Sequence, residues 1–134
     1  MPSVRCFSRS SRMATHERLK AWQLCHQLAL AVYGATDSWP RAERYGLSAQ
    51  ARRAAYSAAA NIAEGWARHG PRELRRYLSM TRGSLAELSY TLRLALDLGL
   101  VDEAGWKTLQ NLRDAAEATT WKLFKSVGRP ESAA

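Results

Sequence analysis

At 134 residues the chain has the length of one ordinary domain, enough to bury a core and too little for two. Hydrophobic residues make up 46% and charged residues 24%, which excludes the low-hydrophobicity composition that keeps chains disordered. The net charge of +8 rests on 20 basic residues, of which 16 are arginine, and arginine's planar fork of donors matches phosphate bidentately, so an anionic partner is implied. No apolar run approaches the roughly 18 residues of a membrane span. Cys6 and Cys25 have neither the number nor the spacing of a disulfide framework or zinc site, which points to a reducing, cytoplasmic setting.

Residues 1–14 read as a basic, Ser-rich leader without the apolar stretch of a secretory signal, and Met13 is an alternative start. From about residue 16 to 34, Leu19, Trp22, Cys25, Leu28, Ala29 and Val32 recur three and four apart and predict the first helix. Trp39-Pro40 closes it, since proline lacks the amide hydrogen and biases its predecessor away from helical angles. A second helix is predicted over 47–68, with Ser48 as its N-cap and a face built mainly of alanine that lets neighbouring axes approach. Gly70-Pro71 separates it from a third, over 71–98, whose stripe runs from Leu74 through Leu78, Leu85 and Leu92 to Leu96. Gly99 suits a left-handed cap, and Asp102 caps a fourth helix over 102–127, followed by a frayed tail at 129–134. With no alternating strand pattern and short connections, the expectation is an all-α, antiparallel, up-and-down four-helix bundle occupying 15–128.

Catalytic chemistry finds little to work with. His26 follows Cys25, but adjacent helical residues point about 100° apart, poor geometry for a nucleophile and its base. No metal-ligand motif, phosphate-cradling glycine loop or paired carboxylate stands out, so neither an enzyme, a metal nor a cofactor is expected.

The arginines are more informative. Nine lie between Arg41 and Arg82 against Glu43, Glu64 and Glu73 as the only acids. Arg72, Arg75 and Arg76 are spaced to share a face near the start of the third helix, with Arg68 just upstream. Together with Arg52, Arg53 and Arg82 they are the candidate nucleic-acid-binding residues, to be weighed against a solvated surface or inter-subunit pairing. Tyr56, Trp66 and Tyr77 are positioned either to stack bases or to fill the core. Asn61, Glu64, Gly65, Trp66 and Tyr77 are assigned to structure or oligomer contacts: polar satisfaction for the first two and close packing for Gly65. Five tryptophans add to the expectation of an oligomer.

The stretch Tyr45 to Ala55, followed by Ser57 and Asn61-Ile62-Ala63-Glu64-Gly65, resembles the four-helix proteins encoded in intervening sequences of bacterial 23S ribosomal RNA genes. Ala21-Trp22-Gln23, Trp39-Pro40 with Glu43, Tyr77-Leu78 and Gly83-Ser84-Leu85 with Glu87-Leu88 extend the match over roughly 19–99. The resemblance implies a homopentameric ring. It also implies a relative of similar fold, the accessory variability determinant of diversity-generating retroelements, which binds nucleic acid and a reverse transcriptase through a basic surface. Ala58, Ala59 and Ala60 stand where that pattern is aliphatic. Two readings follow: an accessory protein presenting its arginines to RNA or an RNA/DNA structure, or an adaptor whose partner is another protein, a reverse transcriptase among the candidates.

Overall fold

The computed structural model describes residues 15–128, and every regular element among them is helical. The predicted leader and tail, with Met13 and Cys6, lie outside the described residues. A short 3-10 turn over Thr15–Arg18 leads into α1 (Lys20–Thr36), and a second, Arg41–Glu43, precedes α2 (Leu47–Ala67). Helices α3 (Pro71–Asp97) and α4 (Glu103–Ser126) complete the chain. Consecutive helices pack side by side and α4 closes against α1, the arrangement of an up-and-down bundle.

Local chemistry explains the boundaries. Pro71 opens α3, where its missing N–H costs nothing. Asp102 Oδ1 accepts the Gly105 N–H at 2.7 Å and caps α4. Gly99, at φ 78°, reverses the chain after α3, and Leu100 N–H returns to Ala95 O at 2.9 Å to satisfy one of the last carbonyls. The start of α2 differs from the expectation. Gly46, not Ser48, holds the N-cap position, and the Leu47 N–H is taken by Glu43 Oε1 at 3.0 Å. The Arg41–Glu43 turn supplies that carboxylate one turn early, and a Cβ on Gly46 would stand 2.7 Å from it. Ser48 is thereby carried into the first turn, where only 7% of it is exposed.

The core is a single apolar cluster. Cys25, Leu28 and Val32 of α1 meet Ala51, Ala55, Ala58 and Ile62 of α2, Leu78, Leu85, Leu88 and Leu92 of α3, and Leu109 and Ala116 of α4. Alanine and glycine let α2 and α3 approach closely along their seam. Thr81 Oγ1 donates to Ala58 O at 2.8 Å deep in that seam, and a Cβ on Gly65 would lie 2.6 Å from Tyr77 Cβ. Small residues are required there because backbone faces side chain with no layer between.

Candidate functional site

The seven arginines singled out in the sequence divide into two groups. Arg52, Arg75 and Arg82 are half-buried and direct their donors into the fold. Arg52 Nε donates to Thr36 Oγ1 at 2.7 Å and Nη2 to Asp37 Oδ1 at 2.9 Å, tying α2 to the end of α1. Arg82 pairs with Glu117 of α4 at 2.8 Å and lies 4.3 Å from the Trp121 ring centroid. Arg75 Nη1 donates to Phe124 O at 2.7 Å and to Val127 O at 3.0 Å, with its guanidinium 4.0 Å from the Phe124 ring centroid. It closes the open carbonyl end of α4.

Arg53, Arg68, Arg72 and Arg76 are exposed. Arg68 and Arg76 flank the buried Tyr77 ring at 5.4 and 4.8 Å, one from the end of α2 and one from the first turns of α3. Glu64 and Glu73 pair with them at 2.8 and 3.3 Å and raise both guanidinium groups above their usual range. Arg72 makes no ion pair among the described residues. The expected grouping of Arg72, Arg75 and Arg76 on one face therefore loses its middle member. At 3.6 residues per turn Arg72 and Arg76 are about 40° apart around the helix, while Arg75 stands about 100° from Arg76, on the side facing α4.

The NIAEG segment serves several neighbours. Asn61 Nδ2 donates to Ser57 O at 2.9 Å and Ser57 Oγ at 3.0 Å, and Ser84 of α3 joins the same hydroxyl at 3.0 Å. Glu64 points outward to Arg68. Trp66 is 39% exposed and its indole N–H donates to Thr15 Oγ1 at 3.0 Å, which fastens the start of the chain's described part over α2.

Two features escaped sequence reasoning. An open apolar groove of about 860 Å³ runs along the outer face of α1 and α2 and is lined by Trp22, Leu30, Tyr33, Tyr56, Ala60 and Ala63, among others. His26 stacks on Trp22 there, with ring centroids 4.7 Å apart. Trp22 and Ala29, which the periodicity joins to Cys25, Leu28 and Val32 in one stripe, instead stand with Leu30 to the side of the residues α1 buries, so α1 is apolar on two sides. The second is a polar pocket of about 360 Å³ at the α1–α2 corner, lined by Trp39, Arg41, Arg44, Ser48 and Arg52 with Thr36, Asp37 and Pro40.

Cys25 and His26 do not meet. The Cys25 side chain is buried in the core, which pushes its thiol up to about 12, while His26 lies outside in the groove. Among the described residues no three His, Cys, Asp or Glu side chains gather as metal ligands, and no helix is long and apolar enough to cross a membrane.

No curated protein matches the chain in sequence. A solved structure from Bacteroides thetaiotaomicron, described as a protein of unknown function from the S23 ribosomal protein family, shares the fold. It superposes with a TM-score of 0.71 at 16% identity, over 79% of this chain and 99% of its own. The family of 23S rRNA-intervening sequence proteins matches residues 17–120, which takes in all four helices nearly to the end of α4. By its sequence pattern and its four-helix fold, the chain belongs to the 23S rRNA-intervening sequence protein family.

Proposed function

We propose that the chain is a non-catalytic accessory protein that binds nucleic acid, RNA or an RNA/DNA structure, through a basic corner, and that it works as a cytoplasmic homo-oligomer. The observation that carries this reading is the exposed set Arg68, Arg72 and Arg76 at the α2–α3 connection, the first and last of them against Tyr77, with Arg53 nearer the start of α2. Arg72 has no ion pair among the described residues and the Arg68 and Arg76 pairs are solvent-exposed and exchangeable, so the three suit backbone phosphates, which supply affinity without base specificity. Arg52, Arg75 and Arg82 take a structural place in this reading.

The apolar groove supports assembly. Exposed aromatic and aliphatic side chains gathered in one groove suit a contact with protein, and a ring of five copies, as in the family resemblance, would cover it. The same groove favours a second reading, in which the chain is an adaptor and the groove receives another protein such as a reverse transcriptase of the accessory-determinant type.

The test is binding of the purified protein to labelled structured RNA and to duplex DNA across a salt series, with its mass in solution measured alongside. The expected result is salt-sensitive binding by an oligomer, lost in Arg72→Glu/Arg76→Glu with the mass unchanged. No binding at low salt overturns the nucleic-acid reading and favours the adaptor; a monomer at every concentration removes the ring.

A further inference from the structure

The geometry points to a phosphate-binding pocket at the corner where α1 hands over to α2, separate from the exposed arginines of α3. Three guanidinium groups, of Arg41, Arg44 and Arg52, line the cavity of about 360 Å³ against one carboxylate, that of Asp37. That carboxylate is held by Arg52 Nη2 at 2.9 Å. Arg52 is the fixed wall: its Nε is bound to Thr36, and its Nη1 has no partner among the described residues. Arg41 and Arg44 are exposed, make no ion pair among the described residues, and are free to close from the rim.

The floor adds donors that nothing in the described chain uses. Ser48 is 7% exposed, lines the pocket and makes no hydrogen bond through Oγ with any described residue. Trp39, 6% exposed, also lines it, and its indole N–H is unpartnered. Ser48 is thus a largely buried residue whose hydroxyl is left open to an arginine-lined cavity, an arrangement that suits an oxyanion. Ser48 is the second residue of α2, and because the Glu43 carboxylate already holds the Leu47 N–H at that helix start, the charge of a bound anion is met by the three arginines. The chemistry recognised is that of a phosphate group, whether borne by a nucleic-acid backbone or by a free phosphate or monoester. At the small end of the roughly 300–1,000 Å³ range of ligand pockets, the cavity admits a phosphate with little beyond its immediate substituent. Where the phosphate belongs to nucleic acid, the inference rests on the nucleic-acid reading above; for a free phosphate it stands alone.

The experiment follows backbone amides and tryptophan indole signals of the ¹⁵N-labelled full chain by NMR, at constant ionic strength, as inorganic phosphate replaces chloride. Expected are saturable shifts at the Trp39 indole and the Ser48 and Ala49 amides. Apparent affinity should weaken at least tenfold in Arg41→Gln/Arg44→Gln and stay unchanged in Arg72→Gln/Arg76→Gln. Non-saturating shifts in the wild type, or a response equal in the Arg41/Arg44 variant, overturn the pocket. Two further titrations separate the sources. Single-stranded RNA without terminal phosphates that moves the same signals assigns the pocket to a nucleic-acid backbone; saturation by adenosine monophosphate, with RNA leaving those signals still, assigns it to a free phosphate. RNA that fails to bind at all while phosphate saturates the pocket overturns the nucleic-acid reading and leaves the pocket standing.

Discussion

Helix α3 sends arginines toward two neighbours, and their fates differ. Toward α4, Arg75 and Arg82 find two terminal carbonyls, a carboxylate and the faces of Phe124 and Trp121 within reach. Toward α2, Arg76 pairs with the partly buried Glu73 of its own helix and lies over the buried Tyr77 ring, with no acceptor from α2, and Arg72 makes no ion pair among the described residues. An arginine becomes structural where the opposite helix offers an acceptor its fork can satisfy over an aromatic face that covers its plane. Because α4 stops at Ser126, its last carbonyls are open beside Arg75, and that accident of helix length decides the residue's role.

Breaking the α4 side should show the larger effect. Arg75→Ala uncaps α4 and removes the packing on Phe124, and chemical denaturation should show a loss of about 2–3 kcal/mol. A loss within error would place Arg75 with the surface arginines. The Arg82–Glu117 pair is partly exposed, so a double-mutant cycle with Arg82→Gln and Glu117→Gln should yield a coupling of only about 0.5–1 kcal/mol, falling in high salt.

How tightly α1 is sealed against the bundle can be read from Cys25. In a Cys6→Ser background its thiol should resist Ellman's reagent until the chain unfolds; prompt reaction in the native state would show that seam to be open. Burial raises its pKa from 9.0 to about 12, so this contribution to stability is fully present below pH 9 and is lost as pH rises toward 12, where the unfolded thiol ionises first. Subtracting the pH profile of Cys25→Ala isolates it.

On the α2 side the expected change in stability is the smallest and the change in binding the most specific. Arg72→Gln and Arg76→Gln should leave the melting temperature unchanged, yet each should lower the slope of log K against log salt for RNA by about one. Variants that melt early without changing that slope would merge the two regions.

The helices were legible because each buried stripe keeps a 3.6-residue period and each break has its own chemistry, such as Pro71 at the start of α3 and Asp102 at the cap of α4. Ser48 misled for a local reason: a serine beside a helix start reads as a cap, whereas the cap came from Glu43 through a 3-10 turn that periodicity does not reveal. The candidate site was harder. Spacing placed Arg72, Arg75 and Arg76 near one another, but which of them turns inward depends on where the neighbouring helix lies and ends.

The polar pocket shows the same limit in reverse, for Arg41 and Arg44 count in the sequence only toward its basic stretch, and the fold brings Trp39, Ser48 and Arg52 beside them. By itself the sequence determined the all-α class, the number of helices and the basic character, because helix period, capping chemistry and net charge are local or additive properties. Only the tertiary structure decided which arginines are spent in the fold, where an apolar face remains uncovered and where donors converge without a partner. Those are relations between side chains distant in sequence, and they exist only once the helices have set their distances from one another.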